Sequence, residues 1–151
     1  MRDLFIEKLY DMSKKPYQKY FKKNAPWKIT KEELLLMPYE TLGFHLGSFL
    51  TRYNFDMQSK LEDHDVFHVL TKTGVTVPEE IGMQYFLFGN GKRSLYLYMV
   101  MATGTLFYPD QLGYFKKQYK RGQNALSFHN LDYSKMLTIP LTTIRNTFKI
   151  K

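Results

Sequence analysis

Residues 59–80 read S-K-L-E-D-H-D-V-F-H-V-L-T-K-T-G-V-T-V-P-E-E. Ser59 and Glu62 have the spacing of a capping box, in which a hydroxyl and a carboxylate satisfy backbone N–H groups at a helix start. Thr76 and Glu79 repeat the pattern, with Pro78 in the first turn, where its missing N–H does no harm. The stretch therefore predicts a helix over about 60–72 closed by Gly74, a short loop, and a second helix from Val77. So short a loop makes the two helices antiparallel or steeply crossed neighbours.

On the first helix His64 and His68 lie at i and i+4, about 40° apart on one face, so both imidazoles can reach one metal ion. Asp65 lies about 60° further round. With Glu79 engaged as the reciprocal cap, Glu80 can come back alongside the histidines. The region is acidic: Asp56, Glu62, Asp63, Asp65, Glu79 and Glu80 stand against Lys60 and Lys72, inside a chain of formal charge +8. Two imidazoles with one or two carboxylates, His64, Asp65, His68 and Glu80, suit zinc or another divalent first-row metal and do not suit calcium. Three protein ligands would leave a coordination position open; a fourth would close it. Asp65 decides between these, because it could also serve as a hydrogen-bond acceptor that orients a histidine.

Other readings of these residues carry less. H-D-x-x-H departs from the H-E-x-x-H of zinc proteases at the position of their general base. A His-Asp metal phosphohydrolase would use His45, His64, Asp65 and Asp132, but would leave His68 and Glu80 without roles. The plainest alternative is a pair of surface histidines on an acidic helix.

Outward from this pair, Leu4, Phe5, Leu9 and Met12 predict an amphipathic helix over 3–13, after which Pro16 restarts the chain. Thr30 and Glu33 form another capping box before Pro38. Residues 40–53 make a helix that Asn54 can close; Gly43 and Gly47, one turn apart on it, call for close approach by a neighbour. The helix from Val77 ends at Gly89-Asn90-Gly91. A buried helix over 92–107 follows, then one over 110–122 with Leu112, Phe115 and Tyr119 inward, and a last one from Pro140 to about Phe148 with Leu141, Ile144 and Phe148 inward. No stretch alternates as a strand would. The expectation is an all-α fold: residues 1–151 as one compact multi-helix bundle built around the HDxxH helix and the helix after it.

The absence of cysteine excludes disulfides and thiolate ligands. No apolar run approaches the roughly 20 residues of a membrane-spanning helix. The start has neither a secretory signal nor a mitochondrial presequence. An aromatic content of 17% is high. It fits half-buried core tyrosines or a surface for an apolar ligand or membrane interface. The basic, aromatic segment 1–35, with its cluster of Lys14, Lys15, Lys19, Lys22 and Lys23, can lie on an anionic membrane surface, while a solvated lysine face on a docked helix is the plainer reading; Lys116, Lys117, Lys120 and Arg121 form a second basic cluster. Nucleic acid is not an expected partner, since the basic residues form no sustained stripe.

H-D-x-x-H followed by eleven residues and Glu80 resembles the zinc motif of the ubiquinone-biosynthesis proteins of the Coq-four type. Three flanks agree with it: E-T-L-G-F-H-L-G-S-F-L at 40–50, Y-K-R-G-Q-N-A at 119–125, and I-P-L-T-T-I-R-N-T-F-K-I at 139–150, like the family's closing P-L-x-x-x-R helix. The resemblance covers about 38–150. Two departures stand out: the mitochondrial presequence of eukaryotic members is absent, which points to a bacterial cytoplasmic protein, peripheral to the inner membrane if it meets one, and Tyr133 follows Asp132 where the family often has Trp. The resemblance implies a helical protein at a membrane surface, binding a prenylated quinone precursor or other long-chain isoprenoid beside other quinone-biosynthesis proteins, with a homodimer as one assembly. It implies either an organiser of the biosynthetic complex or metal-assisted removal of a ring carboxylate with hydroxylation at that carbon, and a metal role for His64, Asp65, His68 and Glu80. A non-catalytic prenyl-lipid scaffold with a structural metal is the alternative.

Overall fold

Among the described residues, capped and broken segments resolve into eight α-helices: α1 (Arg2–Tyr20), α2 (Lys31–Leu35), α3 (Leu42–Arg52), α4 (Glu62–Thr71), α5 (Val77–Gly89), α6 (Leu95–Phe107), α7 (Leu112–Asn124) and α8 (Leu141–Thr147). The structure is a computed structural model that describes residues 1–20, 25–59 and 61–151; the side chains of 13–20 lie outside the description, and with them most of the N-terminal lysine cluster. Among the described residues there is no strand, only an isolated bridge between Thr41 and Pro140. The all-α expectation holds.

Local caps do most of the starting and stopping. The Thr30 hydroxyl accepts from Glu33 N–H at 3.2 Å while the Glu33 carboxylate accepts from Thr30 N–H at 2.8 Å. At α5 the Glu79 carboxylate accepts from the Thr76 N–H at 3.1 Å and from its hydroxyl at 2.6 Å. The Ser59 box does not form. α4 begins at Glu62 with Leu61 as its uncapped N-cap, and buried Glu62 accepts instead from the backbone N–H of Trp27 at 2.9 Å. A long-range donor has displaced the local one. At the other end Lys72, with φ 57°, takes the left-handed turn expected of Gly74; Gly74 instead leaves room for the Glu79 carboxylate, into which a Cβ would run.

α5 is central because both its faces are apolar. Met83, Phe86 and Leu87 pack with α3, α4, Phe128, Tyr133 and α8. Val77 and Ile81 pack with Ile6 and Tyr10 of α1, Val100 of α6, Tyr108 and Phe115. α7 lies tightly along α5: a Cβ on Gly122 would collide with the Phe86 carbonyl. Gly47 of α3 likewise sits under Leu34 and Leu35 of α2, as its spacing with Gly43 led one to expect.

Three expectations need correction. α1 runs on through Pro16 to Tyr20, absorbing one lost backbone hydrogen bond. It buries Ile6 and Tyr10 and leaves Leu4, Phe5 and Met12 exposed, because the second cluster accepts only the Ile6–Tyr10 face. α6 buries Leu97, Val100 and Gly104, while Leu95, Tyr98 and Leu106 face outward, so it is a surface helix with an apolar outer face. Arg121 is not part of a solvated basic cluster. It donates to the Thr71 carbonyl at 2.9 Å, and Arg145 donates to those of Val69 at 2.6 Å and Leu70 at 3.2 Å. Two arginines from α7 and α8 thus satisfy the orphan carbonyls at the end of α4 and complement its dipole.

Candidate metal centre

The clamped α4 and the capped start of α5 face each other across the short loop. This brings His64 Nε2 to 3.2 Å from Glu80 Oε2, His68 Nε2 to 3.1 Å from Glu80 Oε1, and the two Nε2 atoms to 3.2 Å from each other. Among the described residues these three form a group whose ligand atoms converge within 4.8 Å. His68 Nδ1 lies 3.3 Å from the Thr73 carbonyl, an acceptor that requires a proton on Nδ1. The His68 ring stacks on Phe49 of α3 at 5.3 Å and is buried. Its Nε2 is therefore aimed at the site and held there.

Protons satisfy at most two of the three close contacts; a single cation between the groups satisfies all of them. A tetrahedral zinc with bonds of about 2.0–2.1 Å spaces its ligands about 3.3 Å apart. The observed spacings of 3.1–3.2 Å, from each imidazole to one Glu80 oxygen and between the imidazoles, are ones at which His64, His68 and Glu80 could hold a divalent metal.

Charge is distributed accordingly. Burial would push the Glu80 carboxyl up, but the charges and hydrogen bonds of His64 and His68 outweigh it and hold Glu80 well below the carboxylate range. Burial also opposes a charge on His68, yet its hydrogen bond to Glu80 and the charges of Glu80 and Asp65 carry it above the ordinary histidine value. For His64 burial prevails over Glu80, and its pKa falls.

Asp65 lines the same cavity but stands outside the converging three. The cavity is also lined by Phe55, Leu61, Gln84, Lys92 and Tyr96, and its free volume is about 110 Å³. His45 and Asp132 line other cavities, and Asp132 pairs with Lys135 at 2.9 Å. The ligand set of a His-Asp phosphohydrolase is not assembled among the described residues. Sequence reasoning passed over Thr73, Phe49, Gln84 and the two clamping arginines. Gln84 alone carried a local signal, being one turn beyond Glu80.

The sequence pattern of the family described as coenzyme Q (ubiquinone) biosynthesis protein Coq4 matches residues 51–151. This chain belongs to the Coq4 family. The Coq4 match takes in α4, α5 and all four candidate ligands, and leaves the 40–50 segment outside. A crystal structure from Nostoc punctiforme PCC 73102, of a protein assigned to ubiquinone biosynthesis, has the same fold with a TM-score of 0.67 at 15% identity, covering 94% of this chain and 81% of that one. No curated protein matches the chain. Membership in the Coq4 family places the role of this chain in coenzyme Q biosynthesis. No helix among the described residues is long and apolar enough to cross a membrane.

Proposed function

We propose that this Coq4-family protein holds a divalent first-row metal, zinc or a neighbour, on His64, His68 and Glu80, and presents it to the ring of a prenylated quinone precursor. The observation that carries the reading is the convergence of the two imidazole Nε2 atoms, 3.2 Å apart, on the two oxygens of the Glu80 carboxylate at 3.1 and 3.2 Å, with the His68 tautomer set by Thr73. A bound metal there would polarise a ring carboxylate or an attacking water. The protein's own residues do the rest: Phe49 and Thr73 fix the His68 ring, Glu80 neutralises charge, and Lys92 adds a cation to a mostly acidic wall.

The size of the cavity supports a division of the ligand. A free volume of about 110 Å³ suits one aromatic ring and no long chain; an apolar cavity of roughly 150 Å³ takes up benzene. A prenyl tail would then lie outside, and the outer face of α6 offers Leu95 and Tyr98, close in sequence to the cavity-lining Tyr96. Phe5 of α1 meets Phe107 at 5.7 Å and extends this surface, which also suits the interfacial region of a membrane. The same face favours a second reading, a prenyl-lipid scaffold for other quinone-biosynthesis proteins in which the metal braces α4 against α5.

Native mass spectrometry of protein purified without chelator tests the reading. One divalent metal per chain, lost in His64→Ala and Glu80→Ala, is expected. Protein that carries no metal and takes up neither zinc nor cobalt on titration would refute it. Metal-free variants that still support quinone synthesis in cells would refute a catalytic metal, whereas metal loss that lowers thermal stability and partner binding together would favour the scaffold.

A further inference from the structure

Arg2, Lys31 and Lys135 each pair with an aspartate. Arg52, Lys72 and Arg145 do not: among the described residues none of them has a carboxylate within ion-pair distance, and all three line one cavity between α3, the end of α4 and α8. Arg145 is the fixed member. Its Nε and one Nη donate to the Leu70 and Val69 carbonyls at 3.2 and 2.6 Å, and its other Nη makes no hydrogen bond among the described residues. A guanidinium already ordered by two contacts, with donors left over, is prepared for an anion. Ser48 adds a hydroxyl to the wall and His45 an imidazole; burial first, and the charge of Arg145 second, hold His45 below its ordinary pKa. Glu79 is the one acid on the described wall, and its carboxylate is engaged by Thr76.

We infer that this cavity is a second binding site, for a soluble ligand that carries a phosphate beside an aromatic ring, as a nucleoside monophosphate does. Three cations and a hydroxyl suit a phosphate, which offers roughly two negative charges and three acceptor oxygens near pH 7, better than a carboxylate with its single charge. The wall beside them is aromatic. Phe49 and Tyr53, with ring centroids 5.0 Å apart, line the same cavity and give a flat ring a surface to pack on. A free volume of about 450 Å³ leaves room for both parts of the ligand; small-molecule sites run roughly 300–1,000 Å³. His68 is the partition between the two sites, since it lines this cavity and the metal cavity. Binding here needs no metal.

Titration calorimetry on the whole protein, with AMP, phenyl phosphate, inorganic phosphate and adenosine as probes, tests this. Wild type should bind AMP and phenyl phosphate roughly fivefold or more tightly than inorganic phosphate, and adenosine weakest of all, since both halves of the ligand contribute. Arg52→Gln with Lys72→Asn removes two exposed cations, the asparagine tolerating the left-handed backbone that Lys72 adopts at φ 57°. The double variant should melt close to wild type and lose roughly tenfold or more in affinity for both phosphate esters. Arg52→Gln alone, which leaves the end of α4 untouched, should lose roughly threefold or more and serves if the double variant fails to fold. His64→Ala, which dismantles the metal centre, should bind the esters as wild type does. Wild type that binds neither ester, or that does not distinguish them from inorganic phosphate, would overturn the proposal, as would folded cation variants that bind unchanged. Binding abolished by His64→Ala but kept in the cation variants would put the phosphate on a metal and overturn it too. Flotation on phosphatidic acid vesicles that depends on Arg52 and Lys72, without binding of either soluble ester, would assign the cations to a lipid headgroup and overturn the soluble ligand.

Discussion

Glu79 and Glu80 are adjacent and chemically identical, so separate substitutions divide the cap from the metal centre. Glu79→Ala deletes the acceptor for the Thr76 N–H and hydroxyl, at 3.1 and 2.6 Å. The loss of a helix cap costs about 1 kcal/mol, or roughly 2–4 °C in a chain of this size. Metal affinity should not change, because Glu79 contributes nothing to the converging group. Glu80→Gln keeps the shape of the side chain and removes the anion of that group.

Two effects follow from the second change. Loss of an outer-shell partner weakens metal binding by about 10–100-fold, so loss of a carboxylate ligand should cost at least about 100-fold, or roughly 2.7 kcal/mol. In the metal-free protein, His68 loses the hydrogen bond and charge that oppose its burial, and its pKa should drop. The lost charge-assisted contacts are worth about 2 kcal/mol at pH 6, which lowers the melting temperature by roughly 4–8 °C. Calorimetric titration with zinc and thermal melts with and without chelator measure both. A Glu80→Gln protein that binds zinc within a few-fold of wild type, or a Glu79→Ala protein that loses it, would refute the assignment.

Without metal, His68 has a folded pKa above its unfolded 6.5, so its stabilisation is full below pH 6.5 and fades as the pH rises through the folded value. Glu80 has a folded pKa below its unfolded 4.5, so its share is present above pH 4.5 and fades as the pH falls toward the folded value. The difference in melting temperature between wild type and Glu80→Gln in chelator should therefore be largest between pH 4.5 and 6.5; with zinc it should grow with pH, since the metal displaces protons. Arg145→Ala removes donors to the Val69 and Leu70 carbonyls and should cost about 1.5–3 kcal/mol in urea unfolding, with Lys a poor rescue because one ammonium replaces a two-pronged donor. Gly122→Ala drives a methyl into the Phe86 carbonyl and should destabilise by about 1–3 kcal/mol or more, read from the same denaturation curves. Leu95→Glu with Leu106→Glu, both on the exposed face of α6, should reduce flotation with anionic liposomes while leaving the melting temperature unchanged.

Helices were legible where the deciding contact lies within one turn. Thr30 with Glu33 and Thr76 with Glu79 form the boxes their spacing promises. The HDxxH pair was legible because helical period alone puts i and i+4 on one side. The inward faces of α1 and α6 were not. α1 offers two apolar sets, Leu4–Phe5–Met12 and Ile6–Tyr10, and periodicity cannot rank them when only docking partners distinguish them. α6 is apolar nearly all round and so reads as buried, but coverage depends on neighbours that stand on one side only. Ser59 failed as a cap because Glu62 found Trp27, distant in sequence.

From the sequence alone come the helices, the absence of thiolate chemistry, and the four residues able to bind a metal, since each rests on side-chain chemistry and contacts a few residues apart. Which of the four converge is a tertiary matter. The gap between α4 and α5 is set by Phe49 against His68, by the Arg121 and Arg145 clamp, and by the core along α5. Those contacts bring Glu80 to about hydrogen-bond distance of both imidazoles, leave Asp65 at the cavity wall, and bury the Gln84 amide oxygen without a hydrogen bond among the described residues. Spacing along the chain carries no information about that distance, because it is held by groups remote in sequence.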